Sequence, residues 1–226
     1  MLESTFIHCP GIGPKTERAL WKAGALHWLD YLSMSDSLRV TRRSQWLLSP
    51  LVEESVARLS AADYAWFART LPPREHWRAY PVFRERTAFL DIETTGGRDG
   101  GLVTVIGVYD GTSLRQYIRG VDLNLFPVEI QRFSALVTFF GTGFDLPVLR
   151  RAFGMGFPQL HIDLCFLLKR LGYSGGLNWW RNSLVSAGPN ERAVFPDSTR
   201  CGSGGAGDGE IDGRSTRFSN TTRRMS

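Results

Sequence analysis

The chain has 226 residues, 42% of them hydrophobic, with a net charge of +5 and a pI of about 9.4. That is room for one domain with a real core plus a small appendage, and apolar runs such as 102–109 are too short to cross a bilayer. The opening Met-Leu-Glu-Ser-Thr lacks the basic and apolar regions of a signal peptide; Cys9, Cys165 and Cys201 lie far apart with no CxxC pair, which argues against a zinc site or a disulfide framework and for a reducing cytoplasm.

Residues 1–84 read as a helical region. Residues 1–32 place a Gly-rich turn between helical patterns, and 33–84 are helical and connecting sequence ending in the polar, Pro-containing Pro72-Pro73-Arg74-Glu75-His76. The turn, Cys9-Pro10-Gly11-Ile12-Gly13-Pro14-Lys15, resembles a helix-hairpin-helix element. Gly11 and Gly13 would let the backbone approach a phosphate, amides opening the next helix would bind the anion, and Lys15 would add charge. Ala19, Leu20, Ala23 and Leu26 are expected to form that helix's apolar face. The plainer alternative is a two-helix packing unit with a Gly turn. Of the 27 basic residues only Lys15, Lys22 and Lys169 are lysine, a bias that a GC-rich genome explains, so arginine abundance does not itself argue for phosphate binding.

Residues 85–178 alternate strand and helix. Strands are expected at 87–92, 102–109 and 113–119, a meander turned by Asp110-Gly111. A helix is expected at 128–133, a strand at 135–140, a helix at 145–153, and a helix at 165–171 ended by Gly172. The fold class is α/β, a mixed sheet with flanking helices. From 179 to 226 the composition turns to Gly, Ser and Arg without hydrophobic periodicity, and this tail is expected to be disordered.

The strongest local feature is Phe89-Leu90-Asp91-Ile92-Glu93-Thr94-Thr95-Gly96. Residues two apart on a strand share a face, so Asp91 and Glu93 project together and repel unless a cation lies between them. Hard oxygen donors suit Mg²⁺ or Mn²⁺. Downstream, Val137-Thr138-Phe139-Phe140-Gly141-Thr142-Gly143-Phe144-Asp145-Leu146-Pro147 runs from strand through turn into helix. Asp145 is a candidate third ligand; alone, it would be read as a helix N-cap. His161 and Asp163 fit local hydrogen bonding and capping.

These two segments resemble the first two motifs of the DEDD 3′–5′ exonuclease superfamily, whose fold is ribonuclease H-like. More narrowly they are similar to the YprB-like ribonuclease H-like family, over about residues 85–178. The resemblance implies nucleic acid, DNA or RNA, as partner and a two-metal phosphodiester hydrolysis. It implies Asp91 bridging both ions, Glu93 on the ion that activates water, and Asp145 helping to hold the other. Thr94 and Thr95 become candidates for nucleic-acid contact.

The resemblance stops near Asn178. The superfamily's third motif, a Tyr or His four or five residues before a fourth carboxylate, has no counterpart in 179–226, which reads as truncated or out of frame. Phe140 stands where relatives usually carry Asn. Two functions stay open: a metal-dependent exonuclease, or a catalytically incomplete nucleic-acid-binding module of the same fold. A phosphatase nucleophile loop at Asp91 is disfavoured, because that chemistry wants Asp-x-Asp and Glu93 occupies the second position.

Overall fold

The computed structural model of the chain describes residues 1–34, 42–96 and 100–173, with backbone alone for 42–47. The tail read at 179–226 lies outside the described residues. No described helix is long and apolar enough to cross a membrane.

The helical region holds α1 (Pro14–Lys22), α2 (Trp28–Met34), α3 (Arg42–Ser60), α4 (Tyr64–Thr70), a 3-10 segment (Pro73–Ala79) and α5 (Tyr80–Phe83). Its core gathers Phe6, Leu20, Trp28, Tyr31, Phe67 and Phe83, and reaches Ala135 and Leu160 of the sheet. The chain before Gly11 is not the expected helix. It runs as successive turns, with Thr5, Cys9 and Ile12 donating to Leu2, Phe6 and Cys9. Side chains take up its remaining backbone groups: Phe6 N–H donates to Glu17, Trp21 donates to the Ser4 carbonyl and Trp28 to that of Thr5. The helix expected after the Gly turn is α1, which Pro14 opens in the first-turn position that suits a residue without N–H.

The expected apolar face of α1 is also corrected. Glu17 and Leu20 are its buried residues, while Ala19, Ala23 and Leu26 are exposed. Glu17 can be buried because it accepts from Thr5 Oγ1 at 2.8 Å and pairs with Arg78 at 3.1 Å. Arg78 also binds Glu75 at 2.8 Å, and Arg170 reaches Glu75 at 3.1 Å. The polar stretch 72–76 is therefore folded into the protein, with Glu75 and His76 buried.

A short 3-10 turn (Arg84–Arg86) leads into β1 (Thr87–Thr94), then β2 (Val103–Tyr109) and β3 (Leu114–Ile118). The Asp110 carboxylate accepts from the Thr112 and Ser113 amides and closes the β2–β3 turn. β4 (Ala135–Thr138) and β5 (Leu160–Asp163) complete a sheet of order β3-β2-β1-β4-β5. The meander is antiparallel; β4 and β5 run parallel to β1. The helix expected at 128–133 lies earlier, as α6 (Phe126–Glu129), with 3-10 geometry over Ile130–Arg132. Pro127 opens it, and Phe133 is already extended. The strand expected at 135–140 stops at Thr138. α7 (Asp145–Phe153) matches its expected span and ends at Gly154, whose φ of 62° suits a left-handed cap. α8 (Leu164–Arg170) follows β5 directly.

Ala88, Leu90 and Ile92 of β1 pack with Ile106 and Val108 of β2 and with Leu146 and Leu149 of α7 in a second core. Their alternates, Asp91 and Glu93, are left on the opposite, open face.

Candidate active site

The register of β1 on β2 sets the site. Asp91 lies opposite Gly107, and Glu93 opposite Val105. Cross-strand partners share a face, so the absent side chain at Gly107 leaves clear space beside Asp91. On the same face, Tyr109, Leu114 and Ile118 are exposed. Just past Glu93 the register shifts, and Thr94 pairs with Val103 as the last residue of β1.

Asp145 reaches the other edge of β1. β4 pairs with β1 only through Thr87, Ala88 and Phe89, so the amides beyond have no strand partner on that side. The first residue of α7 is brought to this gap, where the Ile92 N–H interacts with the Asp145 carboxylate. Asp145 is 4% exposed. It is the first helical residue and not the N-cap, a position that Phe144 takes without a side-chain cap bond. Burial pushes the Asp145 pKa up to about 6; the charges of Asp91 and Asp163 push the same way, and the Asp145 and Ile92 amides oppose them. The Asp91 pKa is also raised, by burial and then by the Glu93 charge. Asp91 and Glu93 thus share the sheet face near one end of β1, and Asp145, from a helix start, lies close enough to feel the Asp91 charge. Among the described residues, no group of three or more His, Cys, Asp or Glu side chains is arranged to hold a metal ion.

The turn that delivers Asp145 is braced from β5. Asp163 accepts from the Phe140 and Thr142 amides, both at 2.9 Å, and caps α8 through the Cys165 amide at 3.1 Å. This bears out capping as its role and adds the bracing, which needs β5 beside β4 and so could not be read from spacing. His161 Nε2 meets Thr138 Oγ1 at 2.9 Å, and burial lowers its pKa to about 4, so it is neutral at pH 7. Phe140 has φ of 64°, a left-handed conformation that Asn tolerates and Phe does not favour.

Thr94 and Thr95 organise the loop after β1. Thr95 N–H donates to the Leu102 carbonyl, Leu102 N–H donates to Thr95 Oγ1, and Gly96 N–H donates to Thr94 Oγ1. A Cβ on Gly101 would lie 2.2 Å from the Gly96 oxygen, so the loop closes only with glycine there. Gly11, Gly13 and Lys15 are placed at the start of α1 in the helical region. Gly11 has φ of 81°, and a Cβ on Gly11 or Gly13 would meet nothing within 4 Å.

Residues 88–184 match the RNase_H_2 family model, of the RNase_H superfamily. The mixed sheet with its flanking helices is ribonuclease H-like, and such a domain is compatible with nuclease activity. The matched RNase H-like segment contains Asp91, Glu93 and Asp145, and it continues past Asn178, where the family-like sequence was expected to stop. No curated protein sequence matches the chain.

Proposed function

We propose that the chain is a divalent-metal-dependent nuclease acting as a 3′–5′ exonuclease, of the YprB-like kind, on DNA or RNA in the cytoplasm. The observation that carries the reading is the pairing of Asp91 and Glu93 on one face of β1, with Asp145 close enough to feel the Asp91 charge, inside the segment that matches the superfamily. Their donor chemistry fits Mg²⁺ or Mn²⁺: all are hard oxygens, and two have raised pKa values because neighbouring charge and burial disfavour the free anions. Asp91, Glu93 and Asp145 would hold two such ions. Bound there, divalent cations lower the pKa of water and neutralise charge on a leaving oxygen.

The protein's own part is positioning. Gly107 keeps the face beside Asp91 clear. Ile92 N–H and the Asp163-braced turn hold the Asp145 carboxylate at the strand end. Thr94 and Thr95 fix the adjoining loop, where a strand of nucleic acid would pass. Gly11, Gly13 and Lys15 would grip a phosphate without reading sequence.

The test uses oligonucleotides labelled at the 5′ end, in Mn²⁺, beside an Asp91→Ala control. Stepwise shortening that a blocked 3′ end prevents, and that the control loses, is expected. Cleavage at internal positions would refute the exonuclease reading. A second reading, a nucleic-acid-binding module without catalysis, is favoured by the lack of a ready-made three-residue metal group among the described residues; binding without release would select it.

A further inference from the structure

A cleft of about 510 Å³ opens between the 3-10 segment 73–79, β5 and α8. Its volume falls within the range of ligand-binding clefts. The carboxylate chemistry uses none of its aromatic or basic residues. Trp77 and Phe166 line it, with Arg74, Lys169 and Arg170. On one side it is bounded by Thr142 and Asp163, the pair whose hydrogen bond braces the turn into α7. Thr142 lies in the turn that delivers Asp145, so this end of the cleft is next to the segment carrying that carboxylate.

The lining charge is mainly positive. Asp163 is the only acidic residue among the described residues of the lining, and both its oxygens already accept backbone amides. The Lys169 ammonium stands 5.5 Å from the Phe166 ring centre, so a cation and an aromatic face form one composite surface. Arg170 is held in place by Glu75 at 3.1 Å. Aromatic faces interleaved with cations suit an unpaired strand, because bases stack on the rings while phosphates meet the charges. A duplex keeps its base faces stacked inside and has less to offer such a cleft.

We infer that this cleft is the docking channel for an unpaired nucleic-acid strand, with a base against Phe166 and Trp77 and phosphates at Lys169, Arg74 and Arg170, leading the strand toward Asp145. The class of partner rests on the nuclease reading; the channel itself rests on the cleft.

The test is fluorescence anisotropy of the full chain with oligothymidylate, oligouridylate and a matching duplex, in EDTA so that no cleavage runs. Variants are Phe166→Ala and Lys169→Gln, each checked by circular dichroism. Phe166 is 44% exposed, which makes its replacement compatible with folding. The parent is expected to prefer a single strand over the duplex. Phe166→Ala should weaken binding roughly 5- to 100-fold. Lys169→Gln should lower the salt slope by about one and decides the question if Phe166→Ala does not fold. A parent that binds single strands while Phe166→Ala and Lys169→Gln bind equally well overturns the channel and leaves the nuclease reading standing. A parent that binds neither strand nor duplex overturns both.

Discussion

The backbone N–H of His161 donates to Nδ1 of His76 at 3.0 Å, while Nε2 of the same ring donates to the Leu71 carbonyl at 3.2 Å. Both ring nitrogens are thereby committed, and the ring is neutral with its proton on Nε2. Burial lowers the His76 pKa, consistent with that state. The bond ties the helical region to β5, the strand whose end braces the Asp145 turn. His76→Ala is expected to cost about 2–4 kcal/mol, through a lost contact and an orphaned amide. Urea unfolding measures it; an unchanged midpoint would contradict the link.

Arg78 sits between the buried carboxylates of Glu17 and Glu75. Removing it leaves the buried Glu17 carboxylate without its ion-pair partner, while Glu75 keeps Arg170, so Arg78→Met is expected to cost about 3–5 kcal/mol. Arg115→Ala serves as the contrast, because the Arg115–Glu129 pair is exposed and such pairs contribute about 1 kcal/mol or less. Thermal unfolding of the two variants should separate them clearly; equal effects would refute the buried network.

Phe140 holds a left-handed backbone with φ of 64°; its half-exposed ring lies over Gly143, with its centre 6.1 Å from that of Phe166. Phe140→Asn is expected to stabilise by about 0.5–1 kcal/mol, because Asn adopts this conformation at lower cost. The thermal midpoint should rise. A fall would mean that the ring packing outweighs the strain.

Burial pushes the Asp145 pKa up to about 6 in the folded chain, from an ordinary value of 3.8. Between those values the folded state holds a proton that the unfolded state has lost, so this group's contribution falls as pH rises from about 4 to 6. Above pH 6 the burden is on the order of 3 kcal/mol. His8 and His161, both lowered to about 4 by burial, act oppositely: their stability is full above pH 6.5 and is lost as pH falls toward 4. Asp145→Asn in EDTA should therefore be more stable than the parent at pH 7.5, with the difference shrinking toward pH 4. A variant less stable than the parent at pH 7.5 would contradict the assignment.

The meander was legible because strand alternation and the Asp110-Gly111 turn are local signals, and the structure places β1, β2 and β3 close to their expected spans. Asp91 and Glu93 were legible for the same reason, since a spacing of two on a strand fixes a shared face. The α1 face was misread because ion pairing with Arg78 buries Glu17 where hydrophobic patterning predicts exposure. The clearance at Gly107 and the Asp145 seat at Ile92 depend on strand register and on where β4 stops pairing, neither of which a single sequence displays.

The most direct test of the carboxylate centre is calorimetric titration of Mn²⁺ into the full chain, beside Asp91→Asn and Asp145→Asn. The account predicts saturable binding by the parent, with proton release that grows as pH is lowered toward 6, and loss of that binding in both variants. A parent that takes up no Mn²⁺, or an Asp91→Asn chain that binds it as well as the parent, would contradict the account.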